Sequence, residues 1–263
     1  MLFFSHFKFK FGKTLKIKTM DALQEMDGNN VPNKTSGEII SHAFEMYKGV
    51  FLYAILAMVI YFLASMIAQP LSGFDSRSFS EEIRSSDGDF SSLNLWAIPG
   101  LKMYYGLSGI VSLLLSPLYV GIIYLANKYN SKQQLQVSDL FIGYKQNFLN
   151  ILIYSLLSSI IMGISIVMCV LPVFFVLPLL LLGYPILLFE NASFSEAFAK
   201  SFRIAKENYT VFLGASFLGL LISIAGILLC GVGIIATLPF YFVVMYSTYV
   251  AFCGKPRQLD FNN

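Results

Sequence analysis

The sequence predicts an all-α, polytopic membrane bundle of six transmembrane helices. Three observations predict it: long tracts without a charge, a charged fraction of only 13%, and a one-sided distribution of basic residues. A soluble domain carries about 25% charged residues to hydrate its surface. This chain has 56% hydrophobic residues and a mean hydropathy of +0.68. Met103 to Asn127 is 25 residues without Asp, Glu, Lys or Arg, Gln146 to Phe189 is 44, and Asn208 to Gly254 is 47. About 20 helical residues cross about 30 Å of hydrocarbon, so the first tract holds one span and each longer tract a hairpin of two. Gly49 to Phe74 supplies the sixth. Helices of a soluble bundle would need polar faces toward water, and a β-barrel would alternate polarity in short segments. Neither pattern is present.

The elements follow in order. Residues 1–35 are basic and aromatic, then polar. Phe7-Lys8-Phe9-Lys10-Phe11 and Leu15-Lys16-Ile17-Lys18 alternate as strands do. Three readings of this start stand side by side: a membrane-surface arm, a hairpin about Gly12, or upstream sequence before a true start at Met20. No cleavable signal peptide is expected, because a polar stretch, Asp21 to Thr35, follows the basic start. Residues 36–254 form the membrane domain, with spans expected at Gly49–Ala68, Tyr104–Ala126, Phe148–Met168, Val170–Phe189, Tyr209–Leu229 and Gly231–Phe252. Residues 255–263 form a short tail.

Orientation follows from Lys and Arg. Lys8, Lys10, Lys13, Lys16, Lys18, Lys34 and Lys48 precede span one; Lys128, Lys132 and Lys145 follow span two; Lys200, Arg203 and Lys206 follow span four; Lys255 and Arg257 end the chain. That places 15 of 18 on one side, leaving Arg77, Arg84 and Lys102 among the acids of the 70–102 connection. Basic flanks are retained in the cytoplasm, so both termini are expected there, in a bacterial inner membrane.

An internal repeat is visible. Pro117, Pro178 and Pro239 each fall 61 residues after the last, and Cys169 and Cys230 each stand nine residues before the later two. Ser195-Glu196-Ala197-Phe198 with Lys206-Glu207-Asn208-Tyr209 matches Ser138-Asp139-Leu140-Phe141 with Lys145-Gln146-Asn147-Phe148. Gly37-Glu38-Ile39-Ile40 with Lys48-Gly49-Val50-Phe51 is the third copy. The expected architecture is three parallel units, about 36–127, 137–190 and 194–253, each an amphipathic cytoplasmic helix followed by a transmembrane hairpin. Packing around a pseudo-threefold axis is compatible with this pattern.

Candidate functional residues gather at the cytoplasmic side. In the 193–206 helix, Phe198, Phe202 and Ala205 recur at helical spacing while Lys200, Arg203 and Lys206 occupy mostly another face. Such a helix can lie among headgroups with its cations near anionic phosphates, or pack across the end of the bundle. Lys145, Glu190 and Asn191 join Lys200, Arg203 and Lys206 as candidate lipid or partner contacts. Pro117, Pro178, Pro185 and Pro239 are expected to mark structural kinks, since each removes a backbone donor whose freed carbonyl needs another partner in lipid. Tyr184 and Tyr241 stand near enough in sequence to offer one.

Catalytic and metal signatures do not emerge. The span interiors contain no Asp, Glu, Lys, Arg or His, where coupled transporters keep ionisable groups. His6 and His42 are the only histidines, and no zinc-protease, phosphate-loop or nucleophile-elbow motif occurs. No cofactor or metal is expected, and a net charge of +3 gives no case for nucleic acid.

Leu177-Pro178, Gly183-Tyr184-Pro185-Ile186, Phe189-Glu190-Asn191, Ser195-Glu196-Ala197-Phe198, Ser201 and Lys206-Glu207-Asn208-Tyr209 carry a resemblance. Over about Gly37 to Gly254 the chain resembles uncharacterised bacterial six-helix membrane proteins, similar to the membrane domain attached to some glycerophosphodiester phosphodiesterases. The resemblance implies the architecture; the hydrolytic activity belongs to a soluble domain that does not accompany these residues. Some proteins of this kind carry a beta-carotene monooxygenase label, which would imply several histidine ligands. The sequence therefore predicts a non-enzymatic membrane protein that organises lipids or an envelope complex, with membrane lipids, further copies of itself or an envelope protein as partners. The alternatives are a transporter or channel for a small or amphipathic solute, and a membrane-embedded enzyme.

Overall fold

The computed structural model describes residues 31–85, 98–168, 171–228 and 233–256. The readings of residues 1–30, of Cys169 and Cys230, and of the tail beyond Pro256 fall outside the described residues. Every regular element among the described residues is helical. Span one is α1 (Ser36–Ser72); α2 (Ser76–Ser85) follows it, and α3 (Leu101–Asn130) is span two. A 3-10 turn (Val137–Phe141) and α4 (Ile142–Lys145) lead to α5 (Phe148–Val167), span three. Span four is α6 (Leu171–Leu180) plus α7 (Gly183–Phe189), and α8 (Phe194–Glu207) precedes span five, α9 (Tyr209–Ile224) with a 3-10 turn (Ala225–Leu228). Span six is α10 (Gly233–Thr237) plus α11 (Phe240–Cys253). Six helical stretches are thus long and apolar enough to cross a membrane, and the chain is a multi-pass membrane protein.

The first element differs from expectation. The amphipathic helix and the span after it are one continuous helix of 37 residues, about 55 Å long at 1.5 Å per residue. Gly49 does not interrupt it, and its missing side chain leaves room for the Tyr129 ring to pack against the helix. Thr35 caps the start by accepting from the Glu38 N–H at 3.4 Å, with the acid near the positive end of the helix. The helix ends at Gly73, whose φ of +66° suits glycine. Gly100, at φ +76°, lies against the Gly73 backbone, where a Cβ would come within 2.6 Å. Glycine at both positions lets the two strands of chain meet at the mouth of this hairpin. Between them, α2 is a short amphipathic helix with no buried residue.

In the most apolar 18-residue stretches of spans two, four and six more than half the residues are buried, against a third or fewer in those of spans one, three and five. Spans two, four and six contact one another, and spans one, three and five lie against their flanks. The segments before the odd spans pack inward as well. The 3-10 turn and α4 lie along α3, α8 lies on α6 and α7, and α1 lies on α11. Gly121 and Gly143 make the α3 contact possible, since their Cα positions face the backbones of Leu140 and Pro117. Lys128 closes the same segment onto α3 through an ion pair with Asp139 at 2.8 Å.

The prolines have separate settings. Pro117 lies within unbroken α3, and Pro178 lies in the last turn of α6. Pro185 occupies the first turn of α7, where a missing N–H leaves no helical bond unmade. Pro239 is the N-cap of α11. Between α6 and α7 the helix breaks, and neighbours satisfy the freed backbone. Ser201 of α8 donates to Leu179 O at 2.6 Å and accepts from the Leu182 N–H at 3.3 Å. Tyr154 of α5 donates to Leu180 O at 3.0 Å. These two hydroxyls, rather than Tyr184 and Tyr241, serve the break.

Candidate functional site

Span four ends at Phe189, and the residues after it build the site. Glu190 is the C-cap of α7, and Asn191, at φ +51°, turns the chain toward α8. Asn147, itself at φ +54°, holds this turn by donating to Leu187 O at 2.9 Å and Ala192 O at 2.7 Å. Asn150 extends the clamp, donating to Asn147 Oδ1 and accepting from the Phe194 N–H at 3.2 Å. The helix α8 then begins with a capping box. The Glu196 N–H donates to Ser193 Oγ, and Glu196 Oε2 accepts from both the N–H and the hydroxyl of Ser193 at 2.9 Å. The Ser193 N–H donor holds the Glu196 carboxyl below its ordinary range.

Glu190 takes three hydrogen bonds. Lys200 Nζ donates to its two oxygens at 2.7 and 2.6 Å, and the Tyr249 hydroxyl of α11 donates to Oε1 at 3.0 Å. The acid therefore ties α7, α8 and span six together. Both members of the ion pair are about a third exposed, so the pair itself stabilises by less than about 1 kcal/mol. It also cancels the Lys200 charge. Arg203, one turn further along α8, is exposed and makes no ion pair among the described residues.

Between α7 and α8 opens a cleft of about 580 Å³, lined by Ile186, Glu190, Asn191, Ala192, Glu196, Ala199, Lys200 and Arg203. Four of the six residues singled out from sequence thus come together: Glu190, Asn191, Lys200 and Arg203. Lys145 and Lys206 are exposed and do not line it. Small residues form the face of α8 that packs on the bundle. Ala197, Ser201 and Ala205 are buried at four-residue spacing, and Phe202 is exposed. Phe198 is half-buried against Tyr154, with ring centroids 4.4 Å apart. Small residues win because α8 packs directly on span four, where a phenylalanine at position 201 would leave no room for the backbone bonds above. Serine between two alanines at helical spacing is the signal that could have revealed this face.

A second polar group ties spans one, two and six at the same end. His42 Nδ1 pairs with Ser247 Oγ at 2.9 Å. The Tyr246 hydroxyl donates to Asn127 Oδ1 at 3.2 Å and accepts from Asn130 Nδ2 at 2.9 Å. Sequence reasoning passed over His42, Tyr246 and Ser247.

Comparison with family models, with curated proteins and with solved structures gives no match. Nothing beyond the chain's own geometry assigns the cleft. That geometry offers a guanidinium with no ion pair among the described residues, an adjoining ion pair, the capping carboxylate of Glu196 and an amide at the end of a membrane span. It suits recognition of a phosphate or carboxylate. Among the described residues, no cluster of three or more His, Cys, Asp or Glu side chains is placed to hold a metal ion.

Proposed function

We propose that this protein is a non-enzymatic membrane component that organises lipids by holding an anionic headgroup in the cleft between α7 and α8. The carrying observation is that Arg203 borders the cleft and makes no ion pair among the described residues, while the neighbouring Lys200 is already neutralised by Glu190. A headgroup phosphate supplies the missing anion. Lys206, exposed one turn further on, adds to the attraction, each juxtamembrane cation contributing about 1 kcal/mol near an anionic surface.

The same reading places this end of the bundle in the cytoplasm of a bacterial cell, where 15 of 18 basic residues gather. It takes the chain as three parallel units about a pseudo-threefold axis, similar to the membrane domain of some glycerophosphodiester phosphodiesterases. Two arrangements support the units. Each of spans two, four and six is an inner helix carrying one of the prolines spaced by 61 residues. The segment that opens each unit lies on the inner span of another.

The test is charge reversal of Lys200, Arg203 and Lys206, with native mass spectrometry of protein extracted in nanodiscs. Wild type should retain phosphatidylglycerol over phosphatidylcholine, and the variant should lose that preference several-fold. Identical co-purifying lipids in the two proteins would refute the reading.

A further inference from the structure

At the end of the bundle opposite the cleft, α2 follows the mouth of the first hairpin. The helical rise from Lys48 to Ser72 in α1 is about 36 Å, and that from Lys102 to Lys128 in α3 about 39 Å. Both exceed the hydrocarbon layer of about 30 Å, so Gly73 and Gly100 meet among headgroups. Asp75 starts α2 at that depth, accepting from the Arg77 N–H at 3.0 Å and from the Ser78 hydroxyl at 2.9 Å.

The residues of α2 sort by face. Phe79 and Ile83 stand one turn apart on one side, while Arg77, Glu81 and Arg84 take the other. No residue of α2 is buried, and the helix makes no extended contact with any other described element. A helix of 10 residues is marginal by itself in water, so its apolar face needs a surface to lie on.

Two observations point to lipid as that surface. The apolar face runs on into residues at the lipid-facing ends of the spans. Phe79 packs 5.8 Å from Phe74, Phe74 lies 5.1 Å from Tyr104, and Tyr104 lies 5.8 Å from Tyr105, which is exposed at the end of span two. Leu71, in the last turn of α1, is exposed as well. Aromatic rings gather at membrane interfaces, where the ring body and the polar edge are both accommodated. The second observation is charge balance: Arg77 and Arg84 stand against Glu81 and Glu82. A charged partner gains nothing from such a helix on net, whereas the acyl boundary takes Phe79 and Ile83 and leaves all four charges in water. We propose that α2 is an in-plane lipid-contact helix in the leaflet opposite the cleft, with Phe79 and Ile83 turned into the acyl boundary. This surface is independent of the headgroup cleft, and its cancelling charges give it no preference for anionic lipid.

Nitroxide labels on single cysteines replacing Arg77, Phe79, Glu81 or Ile83, in full-length protein whose native cysteines are alanine, test it. Power saturation by oxygen against a water-borne nickel chelate reads the depth of each label. The protein is placed in nanodiscs of phosphatidylcholine alone or of phosphatidylcholine with phosphatidylglycerol. Labels at 79 and 83 should favour oxygen, at about 5–10 Å into the interface, and labels at 77 and 81 the chelate, in both lipids. The oxygen-to-chelate ratio should differ several-fold between the two faces. If the label at 79 disturbs the Phe74 contact and prevents folding, the pair at 81 and 83 decides. Equal access of the chelate to both faces, as for a helix standing in water, overturns the proposal. So does a label at 83 that neither reagent reaches, which would mean that protein covers the face. Oxygen preference that develops only with phosphatidylglycerol overturns it too.

Discussion

Replacing Ser201 by alanine probes how the break in span four is held. The side chain is fully buried and makes two bonds to backbone, one accepted by Leu179 O at 2.6 Å and one donated by the Leu182 N–H at 3.3 Å. Alanine keeps the packing on α6 and removes both. Each orphaned buried group costs about 1–3 kcal/mol. An ordinary hydrogen bond between membrane helices contributes only about 0.6 kcal/mol, because the separated helices find other partners. The backbone at a break next to Pro178 has no alternative helical partner, so the larger scale applies. The expected loss is about 2–4 kcal/mol out of a total stability of about 5–15 kcal/mol. Equilibrium unfolding by steric trapping in bicelles measures it, with Ser159→Ala as an exposed control expected to shift stability by less than about 0.5 kcal/mol. Indistinguishable stabilities for the two variants would show that Ser201 does not hold the break.

Two other outcomes follow from the geometry. A Cβ on Gly121 would stand 2.6 Å from the Leu140 carbonyl carbon, which is backbone and cannot rotate away. Gly121→Ala should therefore destabilise by about 1–3 kcal/mol or more and weaken disulfide trapping between cysteines placed on α3 and on the 137–145 segment; unchanged trapping efficiency would contradict the tight contact. Glu196, whose carboxyl is held below the ordinary range by the Ser193 N–H, stabilises α8 above the unfolded carboxyl pKa and loses that contribution as pH falls through the folded value. The stability difference between wild type and Glu196→Gln should accordingly be present at pH 7 and vanish under acid, whereas a difference that grows on acidification would reverse the assignment.

The six spans were legible because uncharged tracts of 44 and 47 residues admit no other arrangement in lipid. Charge spacing also pointed to Glu190, Asn191, Lys200 and Arg203. What periodicity missed are partners set by the packing of different helices. Tyr249 lies 59 residues from Glu190 and Asn147 lies 40 from Leu187, and no local pattern links such pairs. The Phe198–Phe202 stripe alone does not reveal which side of α8 packs on span four, because a helix on a membrane surface and a helix packed on a neighbour share the same period. The difference lies in side-chain size, and Ala197, Ser201 and Ala205 carry it. The merging of the first amphipathic segment into α1 escaped notice because helical periodicity does not mark where hydrocarbon begins.

Everything said of the cleft depends on spans two and four ending on one face of the membrane. Single cysteines at Ser85, Ser131, Ser195 and Lys255, labelled by an impermeant maleimide in cells before and after permeabilisation, measure this directly. Positions 131, 195 and 255 should react only after permeabilisation, and position 85 beforehand. Labelling of 131 and 195 from opposite faces would contradict the hairpin arrangement on which the site is built.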